Sequence, residues 1–166
     1  MKAAGPKAVV AVVGIGNPVV GDDGAGIEVI ERLRARWSPD PRVLLLTLEG
    51  DLFEISDHLE RARRFVFADA LAGSEPGQIL RCERAPRAYA PSFHQVDVGS
   101  VMAGLEALGM ADPFPAWEVW GVTVDPPREV RVGLTPAVAA AVGRLTERLS
   151  ALVEEALSDA SPTRGG

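Results

Sequence analysis

Four side chains are the candidates for chemistry in this sequence: Asp22, Asp23, Asp69 and His94. The two adjacent aspartates sit inside a glycine-rich stretch, Gly14-Ile15-Gly16-Asn17-Pro18-Val19-Val20-Gly21-Asp22-Asp23-Gly24-Ala25-Gly26. Glycine loops that follow a strand usually cradle phosphate through their amides. A pair of carboxylates in the same loop repels phosphate and attracts cations instead. Carboxylate and imidazole ligands from separate loops suit a divalent transition metal with open coordination positions, the imidazole selecting against magnesium and calcium. One of Asp22 and Asp23 is expected to serve as a helix N-cap, a preferred use of aspartate. Both cannot cap the same helix, which leaves one for chemistry.

These residues need elements to hold them. Ala8–Val13 is short, apolar and rich in valine, as a strand buried on both faces would be. Asp23 to Trp37 places Ile27, Ile30, Leu33 and Trp37 at helical spacing, and Ser38-Pro39-Asp40-Pro41 ends the run. Val43–Leu48 reads as a second buried strand, and Leu52, Ile55 and Leu59 mark a short helix. Phe65–Ala68 is a third strand that should end at Asp69, followed by a turn at Ser74–Gly77 and a fourth strand at Gln78–Cys82. Val98, Val101, Leu105 and Leu108 give another helix, with His94 expected near its start. A helix N-terminus disfavours positive charge, so His94 should be neutral there, the form that a metal needs. Trp117–Val124 is a fifth strand, and a last helix opens with Thr135 as N-cap and Pro136 in its first turn, running to about Leu157. Strands and helices alternate. That pattern predicts an α/β fold, a three-layer α/β/α sandwich around a mostly parallel, twisted five-stranded sheet. Right-handed crossovers then bring the loops that carry Asp22, Asp23, Asp69 and His94 to the carboxyl ends of the strands, where such folds bind ligands.

At 166 residues the chain is expected to form one domain over 1–166, with residues 1–7 and 158–166 flexible. A formal charge of −6 argues against nonspecific binding to nucleic acid or to an anionic membrane. Cys82 is the only cysteine, so an intrachain disulfide and a four-cysteine zinc site are both excluded. The N-terminus lacks a signal-peptide pattern, and cytoplasmic residence is the expectation. Lys2 and Lys7 are the only lysines, so a lysine that grips phosphate after the glycine loop is missing. His58, between Asp57 and Glu60 on a charged helix face, is expected to be solvated. Cys82, between Arg81 and Glu83, is expected to be a partly buried small residue rather than a nucleophile.

At these residues the chain resembles the hydrogenase maturation proteases. The match begins with Gly14-Ile15-Gly16-Asn17 and Asp22-Asp23-Gly24-Ala25-Gly26 and continues through Ala68-Asp69-Ala70, Pro76-Gly77 and Ser92-Phe93-His94. Gly121-Val122 and Gly133-Leu134-Thr135-Pro136-Ala137-Val138 resemble the closing segment of that family. The resemblance implies an endopeptidase that trims the C-terminal extension from the large-subunit precursor of a nickel–iron hydrogenase. It implies nickel, delivered in the substrate, as the recognition signal. It also implies Asp23, Asp69 and His94 as metal ligands, with Asp23 and Asp69 as the catalytic carboxylates. Gly14, Gly16, Asn17, Asp22, Gly24 and Gly26 then form the structural and substrate loop, Asp22 being the helix cap. The expected partner is the precursor, with no nucleic acid or membrane, and the expected state is a monomer.

Two segments depart from the family pattern. Glu49-Gly50-Asp51-Leu52 stands where many members have Gly-Thr, and Thr123-Val124-Asp125 where many have glutamine and proline. These departures bear on which hydrogenase is recognised more than on the chemistry. The main rival is a nucleotide- or dinucleotide-binding protein, since Gly14-x-Gly16 after a strand and Glu49 after the next imitate the Rossmann layout. Val19 occupies the position of its third glycine, and the aspartates oppose a pyrophosphate. A second rival is a metal-binding assembly factor without catalytic activity.

Overall fold

A computed structural model describes residues 7–82, 97–126 and 130–161. Five strands form one sheet: β1 (Val10–Ile15), β2 (Val43–Leu48), β3 (Arg64–Ala72), β4 (Ile79–Cys82) and β5 (Ala116–Val124). Their spatial order is β2-β1-β3-β5-β4. β1, β2, β3 and β5 are mutually parallel, and β4 alone runs antiparallel, against β5. Helices α1 (Ala25–Trp37), α2 (Val98–Ala107) and α3 (Pro136–Asp159) and a 3-10 helix at Leu52–Arg61 cover the sheet. This is the expected three-layer α/β architecture. None of the described helices is long and apolar enough to cross a membrane.

Alternation along the strands divides the core in two. Val10, Val12, Val66, Ala68 and Val122 pack with Ile30 and Leu33 of α1 and Leu145 and Leu149 of α3. On the other face Ala11, Val13, Phe65, Phe67 and Val119 meet Ile55 and Leu59 of the 3-10 helix and Val101 and Met102 of α2. The Phe65 and Phe67 rings stack at 6.3 Å between centroids. Full burial of one such side chain is worth roughly 1.5–3 kcal/mol, so these layers hold the strand ends rigidly.

Local signals set most boundaries. Asp51 opens the 3-10 helix by accepting the Phe53 N–H at 2.8 Å, and Asp97 caps α2 by accepting that of Ser100 at 2.9 Å. α3 begins with Thr135 at the N-cap and Pro136 at the first position, and runs to Asp159, slightly beyond the expected end.

β3 is the main correction. It does not end at Asp69 but continues to Ala72. Pairing with β1 stops at Gly14↔Ala68, whereas pairing with β5 carries on through Asp69↔Gly121 to Ala72↔Val124. A neighbour far along the chain therefore supplies the backbone partners that extend the strand past its polar residue.

The chain goes from β1 outward to β2, then crosses back to β3 on the other side of β1. The crevice between the carboxyl ends of β1 and β3 is thus the topological switch point, the usual ligand position in an open α/β sheet.

Candidate active site at the switch point

The glycine loop is built around the main chain of Asp23. A 3-10 turn at Gly21–Gly24 carries both aspartates and leads into α1. The Asn17 N–H donates to the Asp23 carbonyl at 3.3 Å, and the Asp23 N–H donates to the Val20 carbonyl at 3.2 Å. The Asn17 side-chain oxygen accepts the Val19 N–H at 3.1 Å. Gly16 has φ 146°, and a Cβ on it would lie 2.0 Å from the Asp23 carbonyl oxygen. Only glycine permits this approach.

Close backbone contact also seats α1 on the sheet. A Cβ on Gly26 would lie 2.2 Å from the Ala68 carbonyl oxygen and 2.3 Å from that of Ile15. One on Gly14 would lie 2.3 Å from the Gly26 carbonyl oxygen, and one on Gly24, the α1 N-cap residue, 2.9 Å from Pro18 Cα. The start of α1 therefore rests on the ends of β1 and β3, and the Gly21–Gly24 turn packs against β3. Asp69 is the next residue after Ala68 on that strand.

Asp23 and Asp69 come out on the two sides of the crevice, and both are buried, at 5% and 2% exposure. Asp69 Oδ1 accepts the Ala70 N–H at 2.8 Å. Alternation places Asp69 on the sheet face of Phe67 and Leu71, beneath α2. Buried carboxylates are costly to keep. Two of them at the ligand-binding crevice suit metal ligation or proton transfer. The third buried carboxylate among the described residues, Glu118, is structural: Arg64 reaches it at 2.7 Å and Arg81 at 2.8 Å.

Asp22 is not the cap of its own helix. Neither the Gly21–Gly24 turn nor α1 has a side-chain N-cap bond. Both Asp22 oxygens are turned instead to Thr135, accepting its N–H at 2.6 Å and its Oγ–H at 2.8 Å. His94, with Ser92 and Phe93, lies outside the described residues. Among the described residues no group of three His, Cys, Asp or Glu side chains could hold a metal ion.

Cys82 and His58, set aside as non-chemical on the sequence, are accounted for. Cys82 is buried, and its thiol is pushed up to about 11, first by burial and then by the negative charge of Asp69. It is a poor nucleophile near neutral pH. His58 is half-buried rather than solvated, and Arg61 donates to its Nδ1 at 2.7 Å. Burial and the Arg61 charge lower its affinity for a proton. It lies near the opposite sheet edge, where the Arg61 carbonyl accepts the Ala8 N–H.

Two departing segments have structural work. Asp51 opens the 3-10 helix, as described above. Thr123 donates from Oγ1 to the Glu75 carbonyl at 2.6 Å and accepts the Gln78 N–H at 2.8 Å, which fastens the turn before β4. Reading the sequence missed Arg131, whose main chain pairs with the glycine loop: the Gly21 N–H donates to the Arg131 carbonyl, and the Arg131 N–H to the Val19 carbonyl. No periodic signal marks this isolated bridge.

No protein-family model matches the chain. It is 29% identical over 151 residues to the hydrogenase expression/formation protein HupD of Bradyrhizobium diazoefficiens, covering 82% of this chain and 77% of that protein. With the hydrogenase 2 maturation protease of Escherichia coli it shares 26% identity over 157 residues, 91% of this chain and 94% of that one. Among solved structures, the hydrogenase maturating endopeptidase HybD of E. coli superposes with a TM-score of 0.69 at 28% identity, over 88% of this chain and 92% of that one. The maturation protease HycI of Thermococcus kodakarensis has the same fold, with a TM-score of 0.71 at 21% identity over 87% and 92%. With the glycine loop and the two buried carboxylates at the switch point, these likenesses make the chain a peptidase similar in sequence and fold to the hydrogenase maturation proteases.

Proposed function

We propose that the chain is the endopeptidase that removes the C-terminal extension from a nickel-loaded hydrogenase large-subunit precursor. One observation carries the reading: Asp23 and Asp69, buried on either side of the switch point, on a platform shared in fold and sequence with proteins named as hydrogenase maturation proteases. Nickel belongs to the substrate in this scheme. Asp23 and Asp69 supply hard, negatively charged oxygens for it, and His94 supplies the imidazole that favours a transition metal. Fixing the ion to the enzyme sets the scissile peptide in place, and positioning of this kind can supply roughly 7–11 kcal/mol of a barrier. A carboxylate held in the crevice can then take the proton of the attacking water. The reaction belongs in the cytoplasm, with the chain acting as a monomer.

The test is to incubate the purified precursor, with and without nickel, with the wild-type chain and with Asp23→Asn, Asp69→Asn and His94→Ala. The wild type should shorten only the nickel-loaded precursor. Each variant should slow cleavage by roughly 10²-fold or more while keeping the wild-type circular dichroism. Unchanged cleavage by Asp23→Asn or Asp69→Asn would sink the proposal.

A further inference from the structure

We infer that Asp22 is a positioning residue, a clasp that fastens the 130–135 segment over the glycine loop and so fixes where Asp23 sits. The inference rests on the proteolytic reading above.

The geometry divides the labour between adjacent aspartates. Residues in a 3-10 turn are spaced about 120° apart, so neighbouring side chains point in different directions. Asp23 is buried, whereas Asp22 is half-buried and spends both oxygens on Thr135. Two main-chain bonds reinforce that junction, from the Gly21 N–H to Arg131 at 2.5 Å and from the Arg131 N–H to Val19 at 3.2 Å. Val20, the loop residue in this bridge, is also the one whose carbonyl accepts the Asp23 N–H. A continuous chain of bonds thus runs from Thr135 through Asp22 and Arg131 to the backbone of Asp23.

Electrostatics supports the same role. Thr135 is the N-cap residue of α3, and its side chain makes no cap bond to its own helix. The Asp22 carboxylate satisfies its amide and places negative charge at the positive end of a 24-residue helix. Fully engaged there, Asp22 leaves the crevice to Asp23.

Asparagine separates this role from direct participation in the chemistry. The amide of Asp22→Asn can still accept the Thr135 N–H and offer an N–H to Oγ1, but carries no charge. Alanine can do neither. The experiment measures kcat and KM for precursor cleavage, and amide hydrogen exchange over residues 130–140, in wild type, Asp22→Ala, Asp22→Asn and Thr135→Val. Asp22→Ala should lower kcat about ten-fold or more with KM nearly unchanged, and should speed exchange in that segment. Asp22→Asn should restore most of kcat and of the protection. Thr135→Val, which loses one of the two bonds, should be intermediate and is the informative variant if Asp22→Ala does not fold. Equal impairment of Asp22→Asn and Asp22→Ala would overturn the clasp in favour of a direct charge role. Wild-type kcat and wild-type exchange in Asp22→Ala or Thr135→Val would overturn it as well. If the wild type cleaves no precursor, the proteolytic reading fails, and the exchange data still decide whether the clasp exists.

Discussion

Replacing Gly26 by alanine tests whether the close seating of α1 is real. In an exposed helical position glycine-to-alanine stabilises by up to about 1 kcal/mol, through helix propensity and a stiffer unfolded chain. Gly104 in α2 is such a position, since a Cβ there meets nothing within 4 Å. Gly26 is also helical, but its Cβ would stand 2.2 Å from one carbonyl oxygen and 2.3 Å from another, where ordinary contact begins at 3.4 Å. The obstacles are backbone atoms of β1 and β3, which no rotamer change removes. The start of α1 would have to lift by about 1 Å, and overpacking of this kind costs about 1–3 kcal/mol or more. We expect Gly26→Ala to destabilise by about 2 kcal/mol net, lowering Tm by roughly 4–8 °C, and Gly104→Ala to raise it by up to about 4 °C. The lift would also displace the turn that carries Asp23, and a 1 Å displacement can cost about 10²-fold in rate. Thermal and urea unfolding of both variants beside wild type is the assay. A Gly26→Ala protein that melts at or above wild type would refute the reasoning, because the same substitution must change sign between the two sites.

Two further expectations concern groups away from the crevice. Arg64 and Arg81 share the buried Glu118 carboxylate; each alanine variant alone should cost less than about 1 kcal/mol, because the other half-exposed arginine remains. The double variant should cost clearly more than the sum, since it strands a buried charge, and a double-mutant cycle by urea unfolding reads the difference. The Cys82 thiol is raised from its ordinary value of 9.0 to about 11. The unfolded chain therefore releases this proton at lower pH than the folded one, and the stability it contributes, fully present below about pH 9, is lost as pH rises towards about 11. Cys82→Ala should flatten the urea midpoint across that interval, and an unaltered slope would contradict the shift.

What could be read from the sequence follows the range of the forces involved. β2 was legible at both ends because a six-residue run, apolar except for Thr47, lies between Pro41-Arg42 and Glu49-Gly50. Pro136 at the start of α3 was legible because the fixed φ of proline acts locally. The end of β3 was not, because β5, far along the chain, extends it past Asp69. Asp22 misled for the same reason: aspartate before a helix suggests a cap to that helix, yet its partner is Thr135. The placement of Asp23 after β1 and of Asp69 on the neighbouring β3 was legible in outline, since crossover handedness constrains where loops emerge; their burial was not.

The junction between Asp22 and Thr135 spans 113 residues. On a ribosome, where the chain emerges N-terminus first, the glycine loop is finished in sequence long before it is finished in space. A nascent chain ending before the third helix carries both aspartates but lacks the contact that sets the loop. Contacts of such long range close late, after the entropy of the intervening loop has been overcome. The bonds between Asp22 and Thr135 are therefore among the last the polypeptide can make, and incomplete chains are synthesised without them.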